Sequence, residues 1–402
     1  MMGIPAKREF DIDWFRGLVC LSLAMLHVYN SPLYDSYYRL FGETGKSIVW
    51  DWLLGVENFY ILAGFMMAHM MRPVPGERIS IGGYVKRRFF RLLLPYWVAM
   101  AIFAILQWSV GLLSGKTDAM PTIVEVLAQI GLVQEFVIAP DRLVKDTVVP
   151  IGYWSMVSLE QFYLLWMACY TICRGIFGRG AGYGRAERAM IVVTFLACIG
   201  SLVLLVENVK MKMELPLFTV YLTLGMLLYW SIRQNVYSAL FWVAWGLLFA
   251  GFLYNGNPRM IKALIVAMMF IPLAKGYRAP DCLAIRVLSY CGKRSYSIYL
   301  IHSIAGMFFL RLTWRLTEKS DWMALPLSAA AFAVFIAAAM IYYRYQELPC
   351  QARAQRVSYR RRRGSHLESS QIISSGNPAG LRYRSAGSRK IVLPVQNRTF
   401  KV

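Results

Sequence analysis

Acidic side chains are scarce in this 402-residue chain: Asp and Glu number 22 against 44 Lys and Arg, and charged residues of both signs make up 16%. A soluble domain carries about 25%, so an ordinary water-soluble enzyme is excluded. The seven cysteines include no Cys-x-x-Cys pair and no zinc spacing. They read as free thiols, and no metal is expected. Internal repeats are also missing, which disfavours transporters built from duplicated halves. What is abundant is apolar: 57% of residues are hydrophobic and 14% aromatic, too much for a disordered chain. A net charge of +22 would suggest nucleic acid in a soluble protein. Here the basic residues lie between apolar runs and in the tail, as in a multispanning membrane protein, and no nucleic-acid partner is expected.

About ten apolar stretches are long enough to cross ~30 Å of hydrocarbon. They lie near Trp14–Tyr29, Ile48–Met71, Phe90–Leu113, Ile151–Cys173, Ala189–Val206, Pro216–Ser231, Tyr237–Tyr254, Met260–Ala274, Ser295–Leu312 and Trp322–Tyr343. The stretch Ile123–Ile138 carries Glu125 and Glu135 and is expected as an amphipathic segment outside the membrane. Connections 2–3 (Arg72, Arg78, Lys86, Arg87, Arg88), 4–5 (Arg174, Arg179, Arg185, Arg188) and 8–9 (Lys275, Arg278, Arg286, Lys293, Arg294) are basic. Connection 3–4 is net acidic. Positive loops stay in the cytoplasm, which puts both termini inside. The expected fold is all-α and polytopic, with an integral membrane domain over 1–350. Residues 351–402 read as a basic, disordered cytoplasmic tail near anionic lipid, carrying Arg360-Arg361-Arg362-Arg363.

Ionisable groups inside a bilayer are costly, so function is sought there first. The first helix offers Asp13, Arg16 and His27. Eleven residues is three turns plus about 20°, so Arg16 and His27 share a face ~16 Å apart along the axis. Asp13 can pair with Arg16 one turn earlier. Glu57, on the second helix, falls close to the estimated depth of His27. A carboxylate on one ring nitrogen would raise the basicity of the other. Glu160 on the fourth helix sits slightly deeper and is a second candidate. Arg87, Arg88 and Arg91 precede Pro95-Tyr96-Trp97 at the cytoplasmic mouth. Paired guanidinium groups suit bidentate phosphate recognition. His302, within Ser295–His302, is expected in the inner half of its helix as core polar packing.

These segments together resemble the acyltransferase family 3 proteins, integral membrane enzymes that O-acylate bacterial surface carbohydrates. Arg16 and His27 match the family's Arg-x10-His signature, and Arg88-x-x-Arg91 its Arg-x-x-Arg motif. Gly55–Phe65 is similar to its Phe-Phe-x-x-Ser-Gly-Phe segment, with Glu57 at the acidic position and Ala63 in place of Ser. Trp154-Ser155 to Phe162-Tyr163 resembles Trp-Ser-x-x-x-Glu-x-x-Phe-Tyr, except that the carboxylate has slipped by one, to Glu160. A one-residue slip turns a side chain by about 100°, which favours Glu57 as the partner of His27. Ser295–His302 and Glu347-x-Pro349 are similar to the closing motifs.

The resemblance implies acetyl-CoA or a related acyl-CoA as co-substrate. The acceptor it implies is a glycan or lipid-linked oligosaccharide, and the setting a bacterial inner membrane. His27 would be the general base or carry a transient acyl group, with Glu57 and Arg16 beside it. Arg87, Arg88 and Arg91 would hold phosphate, and Trp154, Glu160, Asp13 and His302 would support. Two competing readings are a transporter or flippase whose buried Arg, His and Glu line a path, and an acyltransferase acting on peptidoglycan or a small acceptor.

Overall fold

The computed structural model describes residues 11–72, 77–114, 121–138, 150, 152–177, 183–207, 215–317 and 320–362. Its helices are α1 (Asp13–Tyr29), α2 (Tyr34–Ser47), α3 (Val56–Met71), α4 (Ile81–Arg88), α5 (Leu94–Ser114), α6 (Ile123–Ile130) and α7 (Gln134–Val137). There follow α8 (Tyr153–Phe177), α9 (Tyr183–Val206), α10 (Leu215–Arg233), α11 (Ser238–Asn255) and α12 (Pro258–Ala274). The last are α13 (Leu283–Lys293), α14 (Ser295–Ile301), α15 (Met307–Leu316), α16 (Ala324–Tyr342) and α17 (Leu348–Gln355). The one non-helical pairing among the described residues is a short antiparallel ladder between β1 (Glu77–Ile79) and β2 (Arg360–Arg362).

Six helices among the described residues are long and apolar enough to cross a membrane, which makes this a multi-pass, all-α membrane protein. They are Ile81–Leu112, Gly184–Val206, Leu215–Arg233, Ser238–Asn255, Ser295–Trp314 and Asp321–Gln355. About ten were expected. Of the other four, α1, α3 and α12 have only 17, 16 and 17 residues. The fourth, α8, has 25 residues but is interrupted by Ser155, Ser158, Glu160 and Gln161. These four carry Arg16, His27, Glu57, Glu160 and Lys262, while Arg88, Arg91, His302 and Glu347 lie on three of the six.

Lipid gives helices no hydrophobic reason to pair, so close packing must come from small residues. At the crossing of α3 and α10, a Cβ on Gly64 would lie 1.8 Å from the Leu222 carbonyl oxygen, and one on Gly225 would lie 2.0 Å from that of Ile61. The α1–α13 contact repeats the device with Gly17 and Gly292. Because α13 lies against the start of α1, α14 begins well inside the bundle rather than at its edge.

The stretch 121–138 does not stand apart from the bundle. Trp108 Nε1 donates to the Pro121 carbonyl and Trp97 Nε1 to that of Ile130, each at 3.2 Å, so α6 runs alongside α5. Beyond residue 350, α17 continues to Gln355 and β2 pairs with β1; the rest of the expected tail lies outside the described residues.

Candidate functional site

The first helix and α14 run parallel and in register. Cys20 Sγ donates to the Ser295 carbonyl at 3.3 Å, and His27 Nδ1 lies 2.7 Å from His302 Nε2. Both intervals are seven residues, ~10 Å of helix. Arg16 Nη2 reaches Ser295 Oγ at 3.0 Å from further down. His302 therefore shares the level of His27, because α14 starts beside Cys20, while still lying in the first half of its helix, Ser295–Trp314. Both imidazoles are buried and stack with centroids 5.0 Å apart.

Their hydrogen bonds fix the tautomers. His302 Nδ1 faces the carbonyls of Tyr299 at 2.7 Å and Ile298 at 3.2 Å, which only accept, so it carries the proton. Neutral His302 then presents a lone pair on Nε2, and His27 Nδ1–H donates to it. The lone pair of His27 falls on Nε2, which has no hydrogen-bond partner among the described residues. Gly152, at φ +87°, closes on this ring: a Cβ there would lie 2.8 Å from His27 Cε1. The Gly152 carbonyl accepts from Tyr299 Oη and, at 2.9 Å, from Ser155 Oγ. Tyr153 Oη donates to the Leu300 carbonyl at 2.5 Å, pinning α8 to α14 beside the histidines.

Glu57 is not part of this cluster. Its Oε1 accepts from the Gly55 amide and Asn58 Nδ2, each at 3.3 Å, and lies 3.6 Å from Lys262 Nζ. Phe59, two residues on and about 200° around α3, faces Tyr299 instead, with ring centroids 6.5 Å apart. The expected Glu57–His27 pair is thus replaced by His302–His27. Lys262 escaped the sequence reading, although a lone cation in Met260–Ala274 was a visible signal.

The arginine cluster divides. Arg88 forks onto Glu160, with Nε and Nη2 at 2.9 and 2.7 Å from the two carboxylate oxygens, and its guanidinium lies 3.7 Å from the Tyr163 ring. This fork is committed to Glu160, so neither residue fills its expected role at phosphate or at His27. Arg87 stacks 5.0 Å from the Tyr359 ring. Arg91 is exposed and within electrostatic range of Arg16, Arg87, Arg88 and Glu347. Glu347 accepts from the Ser297 amide at 3.0 Å and Gln351 Nε2 at 2.6 Å. Trp154 packs on Phe218 at 5.2 Å, and Asp13 is buried with its carbonyl against Gly292. Arg91, His302 and Glu347 all sit in single π-helical turns, Phe89–Leu93, His302–Gly306 and Tyr343–Glu347. Such turns recur at functional sites.

A cationic mouth with Arg16 and Arg91, and a buried imidazole with one open nitrogen, are the parts an acyl transfer needs. The family model described as acyltransferase domain, acyltransferase family 3, matches residues 9–344. The chain belongs to this acyltransferase family. No curated protein and no solved structure matches it. The match takes in the site residues above except Glu347, Gln351 and Tyr359, and the protein is accordingly a membrane acyltransferase.

Proposed function

We propose that the protein is a bacterial inner-membrane O-acyltransferase that moves an acyl group, acetyl by preference, from acyl-CoA to a hydroxyl of a surface or secreted polysaccharide. The observation that carries this reading is the His302–His27 hydrogen bond, which leaves His27 Nε2 as a base. A sugar hydroxyl has a pKa far above 7, so its attack on a thioester needs that base. The hydroxyl proton passes to His27 Nε2 as its oxygen bonds to the thioester carbon. Collapse of the tetrahedral intermediate breaks the carbon–sulfur bond, and the leaving thiolate takes the proton from Nε2. His302 Nε2 accepts from Nδ1–H throughout and stabilises the imidazolium, the part a carboxylate plays in a Ser-His-Asp triad.

Arg91 and Arg16, with Arg87 nearby, would meet the phosphates, with Arg88 reserved for Glu160. The ~16 Å from Arg16 to His27 suits the pantetheine arm. With basic connections inside, this donor end faces the cytoplasm. Vesicles carrying the parent should transfer label from acetyl-labelled CoA to glycan, and mass spectrometry of surface glycans should find O-acetyl groups only in cells with the protein. Unchanged glycans and unconsumed acetyl-CoA would overturn the reading.

A further inference from the structure

We propose that residues 121–138 form a re-entrant element embedded in the membrane, and that Gln134 on it, with Gln161 beside it, hydrogen-bonds the amide-bearing arm of the acyl-CoA donor. The second half rests on the reading of acyl-CoA as donor. The first half rests on burial alone. In a water-facing amphipathic segment the apolar side is covered and the polar side exposed. Here the order is reversed: Ile123 is 69% exposed, Leu127 59% and Phe136 61%, while Glu125, Gln129, Gln134 and Glu135 are buried. The exposed face continues that of α5, where Ile105 and Leu112 are also bare.

The bonds to α5 give the depth. Pro121 lies level with Trp108, Ile130 with Trp97, and Gln134 Oε1 is 3.5 Å from Tyr96 Oη. From Trp108 to Tyr96 is ~18 Å along a helix, more than half the hydrocarbon thickness. Irregular backbone is tolerated at such depth where it is packed against protein. The turn at 131–133 meets that condition, because Gln161 Nε2 donates to the Leu132 carbonyl at 2.9 Å.

Position along α8 then selects the ligand. Tyr153 begins beside Gly152 and the His27 ring, and Glu160 holds Arg88. Gln161 thus lies ~12 Å along the helix from the base, toward the arginine end. Whatever links a phosphate on Arg91 to a thioester at His27 passes this level. Two polar atoms between the base and this level are buried and unpaired, Nε2 of the fully buried Gln134, beside Tyr96, and Gln161 Oε1. They are one donor and one acceptor. The pantetheine arm is uncharged and carries two amides and a hydroxyl, each able to donate and accept, so it matches both.

The test uses vesicles of the full chain with acetyl-CoA and with S-acetylpantetheine, which lacks the nucleotide, and follows thiol release. Gln134→Leu and Gln161→Leu should each raise KM roughly tenfold for both donors. Arg91→Ala should raise it for acetyl-CoA alone. Each leucine also strands a partner, the Leu132 carbonyl or the Tyr96 hydroxyl, so a merely structural role predicts less folded protein but parental KM values in the protein that folds. Parental KM for S-acetylpantetheine in both leucine variants would overturn the donor contact. For the embedding, a nitroxide on Leu127→Cys should be relaxed by oxygen and not by a water-soluble nickel chelate; relaxation by the chelate would overturn it. A parent that consumes no acetyl-CoA would defeat the donor reading itself, before any variant is made.

Discussion

Two buried pairs of ionisable side chains face each other across this bundle, and they are finished differently. Arg88 and Glu160 satisfy one another on both prongs, with side chains 14% and 2% exposed. His27 and His302 share one hydrogen bond, and His302 spends its other nitrogen on backbone carbonyls. That leaves a single nitrogen open, on His27. A closed pair locks helices, whereas an open one has a lone pair for a substrate. The same contrast separates Glu57, enclosed by Lys262, Asn58 and Gly55, from Arg91, which keeps an exposed guanidinium.

The sharpest way to break that contrast is at the open pair. His27→Ala should cut acyl transfer by about 10²–10⁴, the usual contribution of a general base, with membrane level and donor binding retained. His302→Leu should cost about ten- to a hundredfold, mainly in kcat, because it removes a hydrogen bond to the developing imidazolium. Normal transfer by a well-inserted His302→Leu protein would show that the pair is packing only. At the closed pair, Glu160→Leu should destabilise by about 3–5 kcal/mol by stranding Arg88, seen as loss of folded protein in membranes. Adding Arg88→Met should restore folded protein and transfer; continued failure of the double variant would give this pair a share in the chemistry.

Smaller effects sharpen the same line. Gly64→Ala should cost about 1–3 kcal/mol by pushing α3 off α10, without changing donor KM in the protein that does fold. The Arg39–Asp321 ion pair (2.6 Å) is exposed, with Arg39 donating to both carboxylate oxygens, and exposed pairs contribute little. Arg39→Ala should therefore lower thermal stability at neutral pH only slightly, in a melting measurement, and leave transfer within error.

Much of this was legible in the sequence, though unevenly. The family motifs led to Arg16, His27 and the arginine cluster, and hydropathy led to the all-α membrane class. The Gly64 of the Gly-Phe motif has a plain reason, contact with the Leu222 carbonyl. What the sequence hid depends on register between helices. Depth estimates that start each helix at the membrane edge put Glu57 beside His27 and His302 deeper. In the structure α14 starts inside the bundle, and Glu57 points away around α3. The π turns at Arg91, His302 and Glu347 add a residue to a helical turn, which a 3.6-residue pattern does not reveal. Likewise, Glu125 and Glu135, on whose strength Ile123–Ile138 was expected to be amphipathic, turn their side chains inward.

On this account His302 Nε2 accepts a hydrogen bond from His27 Nδ1–H, which leaves the lone pair of His27 on Nε2 as the base. The chain has only four histidines, so nitrogen-15 NMR of the histidine-labelled protein in nanodiscs can resolve each ring. The account predicts a hydrogen-bond coupling between His27 Nδ1 and His302 Nε2, with His27 Nε2 unprotonated at neutral pH. A His27 ring protonated at Nε2, with no coupling to His302, would contradict it.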